Sequence, residues 1–151
     1  MTTLANQIHD VFTAERKKIG DERGAVFHVM RLDSPEFVSF GETYVSTVNP
    51  GVVKAWKKHL AMHQSLTVPV GQVEFVIFDD RKNSPSRGLI QKIEIGENDY
   101  RMLRIPPGVW YGFRGVGKEN AVIVNCASIP HDPLEVKRLP ESTDQIPYRW
   151  A

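Results

Sequence analysis

The sequence predicts an all-β fold, a sandwich or barrel, and three observations carry that prediction. Turn-forming clusters recur along the chain: residues 20–24, Asp33-Ser34-Pro35, Asn49-Pro50-Gly51, Val70-Gly71, residues 79–88, residues 96–99, Pro106-Pro107-Gly108 and residues 115–120. The segments between them are short and rich in β-branched and aromatic residues, which suit a pleated, half-buried surface. Past residue 20 no segment carries a convincing helical period. About eight or nine short strands, with turn signals roughly 8–12 residues apart, mark a sandwich or barrel.

Taken in order, residues 1–10 are polar and read as a loose lead-in. Residues 8–19 are ambiguous: Ile8, Val11, Phe12 and Glu15 fit one helical face, whereas Val11-Phe12-Thr13 suits a strand. Residues 25–32 (AVFHVMRL) read as a strand, ended by Asp33-Ser34-Pro35. Residues 37–48 (FVSFGETYVSTV) read as another, with Gly41 as a bulge. Residues 51–80 read as two strands meeting at a turn around Val70-Gly71, the second being the apolar run 73–78. A polar loop follows over 79–88. Strands are then expected at 89–95, 100–105, 109–113 and 121–126. From residue 130 proline, charge and turn residues dominate, so the tail is expected to wrap the surface. The whole, 1–151, reads as a single domain with its barrel over about 10–130 and a C-terminal tail over about 131–151.

At 151 residues the chain can bury a real core, and 41% hydrophobic with 25% charged residues is an ordinary globular balance. A net charge of +1 supplies no global field to draw the protein to nucleic acid or to an anionic membrane. The lone Cys126 rules out an internal disulfide and a four-thiolate zinc site. The N-terminus has no basic region followed by an apolar run, and no apolar stretch approaches the roughly 18 residues of a membrane span. A cytoplasmic protein is the expectation.

Chemistry concentrates in residues 51–80. The first half of that stretch holds Lys54, Lys57, Lys58, His59 and His63. Regular alternation puts Lys57 and His59 on one face, with Val53 and Ala55, and Lys58 on the other. If that face lines a barrel interior, it confines two titratable groups in a small space. Further on comes Ile105-Pro106-Pro107-Gly108-Val109-Trp110-Tyr111-Gly112-Phe113.

These features resemble the cupin pattern, in which a His-x-His pair on one strand precedes a Pro-x-Gly-x-x-His motif. Here Lys57 and His59 occupy the first pair and Tyr111 the last histidine. More closely, the chain resembles the dTDP-4-dehydrorhamnose 3,5-epimerase family. Asp21, Arg23 and Gly24 match its D-x-R-G opening; Gly51, Val52 and Lys54 its G-V-x-(R/K). The apolar strand with Asp79 and Arg81 matches its Asp-x-Arg, residues 105–113 its I-P-P-G-x-x-x-G-F, and Cys126 a late cysteine. The resemblance covers roughly residues 10–130. It implies a cupin-type double-stranded β-helix (a jelly-roll barrel) and an isomerase for a nucleotide-linked 4-keto-6-deoxy-hexose in surface-polysaccharide or glycoconjugate synthesis. It also implies a homodimer, with Arg23 reaching a nucleotide phosphate. Three positions depart from the family: Lys57 replaces its catalytic histidine, Val124 its tyrosine acid, and His28 a glutamate.

Epimerisation beside a ketone needs a base for the α-proton, an acid on the opposite face, and a cation or donor for the enolate oxygen. His59 is the candidate base, Tyr111 the candidate acid and Lys57 the enolate's electrostatic partner. Arg23, Lys54, His63, Gln64, Arg104 and Asn125 complete the candidate substrate-binding set, the cations suiting a pyrophosphate. Plainer readings stand beside these. The histidines also read as polar turn residues, the lysines as a solvated edge, Tyr111 and Trp110 as a cap on the barrel mouth. Trp56 reads as packing, Cys126 as an inert core thiol, and Asp21 with Arg23 as a pinned turn. Two other functions stay open: a sugar-nucleotide-binding cupin without activity, and a metal-dependent cupin using His59, His63 and Tyr111. No cofactor and no metal are expected.

Overall fold

The computed structural model describes residues 7–151. Two five-stranded antiparallel sheets face each other. The first orders β1 (Phe12–Glu15), β9 (Arg101–Ile105), β6 (Gln64–Val70), β11 (Ala121–Ala127) and β4 (Glu42–Val48). The second orders β12 (Val136–Arg138), β5 (Val53–His59), β10 (Trp110–Val116), β7 (Gln72–Phe78) and β8 (Ile90–Gly96). A separate exposed hairpin joins β2 (Lys18–Asp21) to β3 (Gly24–Phe27). The all-β expectation holds, in a jelly-roll arrangement. No helix among the described residues is long and apolar enough to cross a membrane.

Side-chain alternation explains which residues face inward. On β11 Ala121, Ile123, Asn125 and Ala127 are buried, while Val122, Val124 and Cys126 are only partly so. From Phe75 onward strand β7 is apolar on both faces because both are covered there. Val73, Phe75 and Ile77 join the core between the sheets, and Val76 and Phe78 join a second cluster outside. Each such fully buried side chain contributes about 1.5–3 kcal/mol relative to exposure. The outer cluster also holds Trp56, Trp110 and Ile146, with Tyr148 and Trp150 packed against it. The packing reading of Trp56 is therefore correct, and the tail does more than wrap the surface. It turns through a short 3-10 segment, Pro133–Glu135, adds β12 to the second sheet, and buries Ile146 completely.

Other expectations need correction. The segment read as one strand before Gly71 is two, β5 and β6, in different sheets. The break is a corner at residues 60–63, where the Leu60 amide donates to the Glu135 backbone carbonyl at 2.7 Å and side chains serve all four amides. Leu60, Ala61 and Met62 donate to the Glu135 carboxylate and His63 donates to Ser128 Oγ. The strand expected over 37–48 begins only at Glu42. At Gly41 a Cβ would lie 2.1 Å from the Ile129 backbone, so the glycine permits close approach of two chain segments. Strand β3 stops at Phe27 rather than Leu32. Ile8 is fully buried, so the described part of the lead-in is anchored; residues 1–6 of it lie outside the described residues. Cys126 is half-buried with Sγ 3.7 Å from Thr43 Oγ1, on the outward side of β11 rather than in the core.

One irregularity decides the site. Pairing between β5 and β10 runs Tyr111↔Lys57 and then Gly112↔Ala55, so β5 carries one extra residue. The bulge inverts the alternation beyond it. Lys54, opposite Phe113, joins Lys57 on the inner face, and Ala55 turns out to pack beside the outer cluster. Regular alternation had grouped Val53 and Ala55 with Lys57; the extra residue puts Lys54 there instead. Gly112 is needed opposite the bulge, since a Cβ there would meet Ala55 Cβ at 2.5 Å.

Candidate active site

A cavity of about 420 Å³ opens between the sheets. One wall comes from β5 and β10, with Lys54, Lys57, Tyr111 and Phe113; Arg138 of β12 adjoins them. The facing wall comes from β4, β6 and β11, with Tyr44, Ser46, Gln64, Leu66, Ile123 and Asn125. Among the described residues no carboxylate lines this space, whereas three cations do. A second hollow of about 320 Å³ shares Tyr44, Lys57 and Arg138 with the first and adds His59, Met62, Glu42 and His131. Lys57 thus stands at the junction of the two.

His59 is buried at the end of β5, where Nδ1 meets Glu135 Oε1 at 2.5 Å. A carboxylate only accepts, so Nδ1 carries the hydrogen, and in the neutral imidazole Nε2 holds the lone pair. That Nε2 is buried and has no hydrogen-bond partner among the described residues. Burial alone would raise the Glu135 carboxyl, but His59 and the amides of Ala61 and Met62 hold it below the usual carboxylate range. The Pro106-Pro107-Gly108 bend is tied to the same place by a bond from the Gly108 amide to the His59 carbonyl, 2.7 Å. Beyond that bend Tyr111 stacks beside His59, ring centroids 6.3 Å apart and planes 20° from parallel.

The protonation states follow from the surroundings. Burial, followed by the charges of Arg138 and Lys54, lowers the Lys57 ammonium below its ordinary value. Burial, seconded by the neighbouring Tyr44, pushes the Tyr111 phenol far up, so it stays protonated. Burial also raises Tyr44, whose oxygen accepts from Asn125 Nδ2 at 2.8 Å. The same Nδ2 lies 3.2 Å from Gln64 Oε1, so two amides in series back the Tyr44 phenol. The two adjoining hollows are therefore lined by an imidazole whose Nδ1 is engaged by Glu135, an ammonium eased toward giving up its proton, and protonated phenols.

Of the residues expected from sequence, His59, Lys57, Tyr111, Lys54, Gln64 and Asn125 come together here. Three do not. Arg23 sits on the exposed hairpin, paired to Asp21 through Nη2–Oδ2 at 2.6 Å, as the pinned-turn reading has it. His63 and Arg104 line a different hollow on the outward side of the first sheet, with Ser65, Cys126 and Ser128. There the Arg104 guanidinium lies over the Phe12 ring and Nε donates to Ser65 Oγ. His59 and His63 therefore face different spaces, and the ligand set suggested for a metal is not assembled. Among the described residues no group of three His, Cys, Asp or Glu side chains is gathered as a metal site.

Tyr44, Glu135 and Arg138 were not among the residues expected from sequence. Alternation along β4 would have grouped Tyr44 with Ser46 and Val48 on the inner face, but only the strand's true start fixes the phase. Glu135 and Arg138 belong to the tail and carry no local signal. Val124, aligned with the family's tyrosine, belongs to the outward side of β11; its neighbour Asn125 enters the cavity opposite Tyr44.

Comparison with known proteins agrees with this fold. A Haloferax volcanii protein, the probable low-salt glycan biosynthesis epimerase Agl13, is 35% identical over 127 residues, covering 83% of this chain and 81% of that one. The spore coat polysaccharide biosynthesis protein SpsL of Bacillus subtilis is 29% identical over 135 residues, covering 88% and 89%. The crystal structure of a dTDP sugar isomerase from Desulfovibrio desulfuricans superposes with a TM-score of 0.93 at 44% identity, covering 95% of this chain and 92% of that one. The family model described as dTDP-4-dehydrorhamnose 3,5-epimerase matches residues 5–150. With that match spanning barrel and tail alike, the chain belongs to the dTDP-4-dehydrorhamnose 3,5-epimerase family, the RmlC-like cupins.

Proposed function

We propose that the protein is an epimerase of a nucleotide-diphosphate-linked 4-keto-6-deoxy-hexose, serving surface-polysaccharide or glycoconjugate synthesis in the cytoplasm. The observation that carries this reading is the Glu135–His59 pair beside a cavity lined by Lys54, Lys57 and Arg138. His59 Nε2 takes the hydrogen α to the ketone, and Glu135 fixes the tautomer that makes this possible. Negative charge then develops on the ketone oxygen. Lys57 meets it, its lowered pKa making it a stronger donor, and Tyr111 adds a phenol hydrogen that burial keeps in place. Lys54, Gln64, Asn125 and Arg138 hold the sugar and its diphosphate.

Arg23, His63 and Arg104 lie away from this cavity, and their contribution requires a second copy of the chain. A homodimer is supported by the apolar residues left exposed beside the first sheet: Leu32 is 83% exposed and Phe40 70%. The exposed hairpin carrying Arg23 would then reach the neighbour's substrate.

The test is incubation with dTDP-4-keto-6-deoxyglucose in deuterated water, followed by proton NMR. Loss of the C3 or C5 hydrogen signal with inversion is expected. Thermal stabilisation by the nucleotide sugar with no hydrogen exchange would overturn the enzymatic reading. It would leave instead a sugar-nucleotide-binding protein, the reading that Lys57 at the family's histidine position favours.

A further inference from the structure

His59, Lys57 and Tyr111 all belong to one sheet, Lys57 and Tyr111 being direct partners across β5 and β10. A carbon loses its hydrogen to one face and is inverted only if a proton returns from the other. The same-wall trio cannot supply that second face. Across the cavity stands Tyr44 of β4, which lines both hollows together with Lys57. Resting on the epimerase reading, we propose that Tyr44 is the acid that delivers the inverting proton to the substrate carbon.

Three features fit that role. Asn125 Nδ2 donates to the Tyr44 oxygen at 2.8 Å, so the phenol's own hydrogen is left free to point into the cavity. The amide is itself fixed by Gln64, which holds the phenol oxygen in one place. Tyr44 is 37% exposed, so water reaches it between turnovers, whereas Tyr111 at 5% is sealed. The alignment position of the family's tyrosine, Val124, belongs to the outward side of the sheet, so the proton donor has moved one strand over, from β11 to β4.

The step balances without a cofactor. His59 Nε2 takes the α-hydrogen as a proton; the C–H pair becomes the enolate C=C and the carbonyl π pair moves to oxygen. The enolate carbon then takes the Tyr44 phenol proton on the opposite face, and the ketone re-forms. Imidazolium and phenolate remain. Solvent accepts a proton from the first and returns one to the second, the Asn125 hydrogen bond and the nearby cations holding the phenolate meanwhile.

Tyr44→Phe separates this from a binding role, and because it removes one oxygen from a partly exposed edge strand its melting temperature should stay close to that of the unaltered protein. In deuterated water with dTDP-4-keto-6-deoxyglucose, the variant should still exchange the α-hydrogen with retention, because His59 can return a deuteron to the face it attacked. Inversion should fall by about 100-fold or more, the scale of a lost general acid. Undiminished inversion would overturn the assignment, and so would equal loss of exchange and inversion. An unaltered protein that exchanges no carbon-bound hydrogen would overturn the epimerase reading itself, and this assignment with it.

Discussion

Replacing Glu135 by glutamine should silence His59 while leaving the corner beneath it standing. Glu135 Oε2 accepts the amides of Leu60, Ala61 and Met62 at 3.1 to 3.2 Å, and Oε1 accepts from His59 Nδ1. A glutamine oxygen can keep the three amides, but its NH₂ then faces the imidazole. Since NH₂ only donates, His59 must accept at Nδ1 and carry its hydrogen on Nε2, where no lone pair remains for the substrate. General-base catalysis is worth about 10²–10⁴-fold, so α-hydrogen exchange should fall by that factor. Bonds to a charged group become neutral ones, a loss of about 1–2 kcal/mol. For a domain of this size that lowers the melting temperature by about 2–8 °C. The Glu135 carboxyl titrates below its ordinary value of 4.5 in the fold. Its stabilisation is therefore complete above that pH and is lost as acid carries the solution through the folded pKa. Melting curves of the two proteins should thus converge in acid. Calorimetry across pH and NMR exchange in deuterated water check both halves. A Glu135→Gln protein that exchanges hydrogen at the unaltered rate would refute the dyad.

Two further outcomes follow from charges elsewhere. Lys57→Met removes a partly buried cation set near Arg138 and Lys54. It should raise stability by about 1 kcal/mol, as at other sites strained for function, and slow exchange by about 10²–10³-fold, the cost of one lost oxyanion partner. Because the folded lysine titrates below 10.5, the unfolded chain binds more protons in between, so stability rises with pH there; Lys57→Met should lose that rise. A destabilised Lys57→Met with normal turnover would contradict the assigned role. Asp79, fully buried, accepts from the Arg81 guanidinium and from the Ser84 and Ser86 hydroxyls. Asp79→Asn should cost about 3 kcal/mol, breaking a buried ion pair, with little direct effect on catalysis since Asp79 does not line the cavity. Although burial opposes it, those donors hold the carboxyl well below the carboxylate range. Its contribution is full above the ordinary value and fades only as acid passes the folded pKa, so an acid melting profile unchanged by Asp79→Asn would count against it.

Much of the barrel was legible because strand periodicity and turn chemistry are local. Residues 101–105, 110–116 and 121–127 form strands close to where their apolar residues and the flanking turn residues put them. The double-proline bend likewise announced that Tyr111 would enter the interior, and it does. Errors arose where a distant group overrode the local pattern. Nothing in residues 60–63 says that Glu135, 75 residues beyond Leu60, takes up the Leu60 amide through both its backbone carbonyl and its carboxylate and turns one strand into two. Nothing in residues 53–59 marks the extra residue that sends Lys54 inward, because the bulge exists only against β10.

From its order of residues alone this chain determined an all-β barrel, its family, and a cationic strand carrying His59 toward an enclosed space. Those properties are written in short-range spacing, which acts before any tertiary contact forms. Tertiary structure alone decided which groups meet across the cavity: Glu135 behind His59, Tyr44 facing Lys57, and His63 and Arg104 on the other side of a sheet. The reason is geometric. A strand presents alternate residues to opposite faces, so a single bulge or corner reassigns every side chain beyond it, and only paired strands fix where that happens.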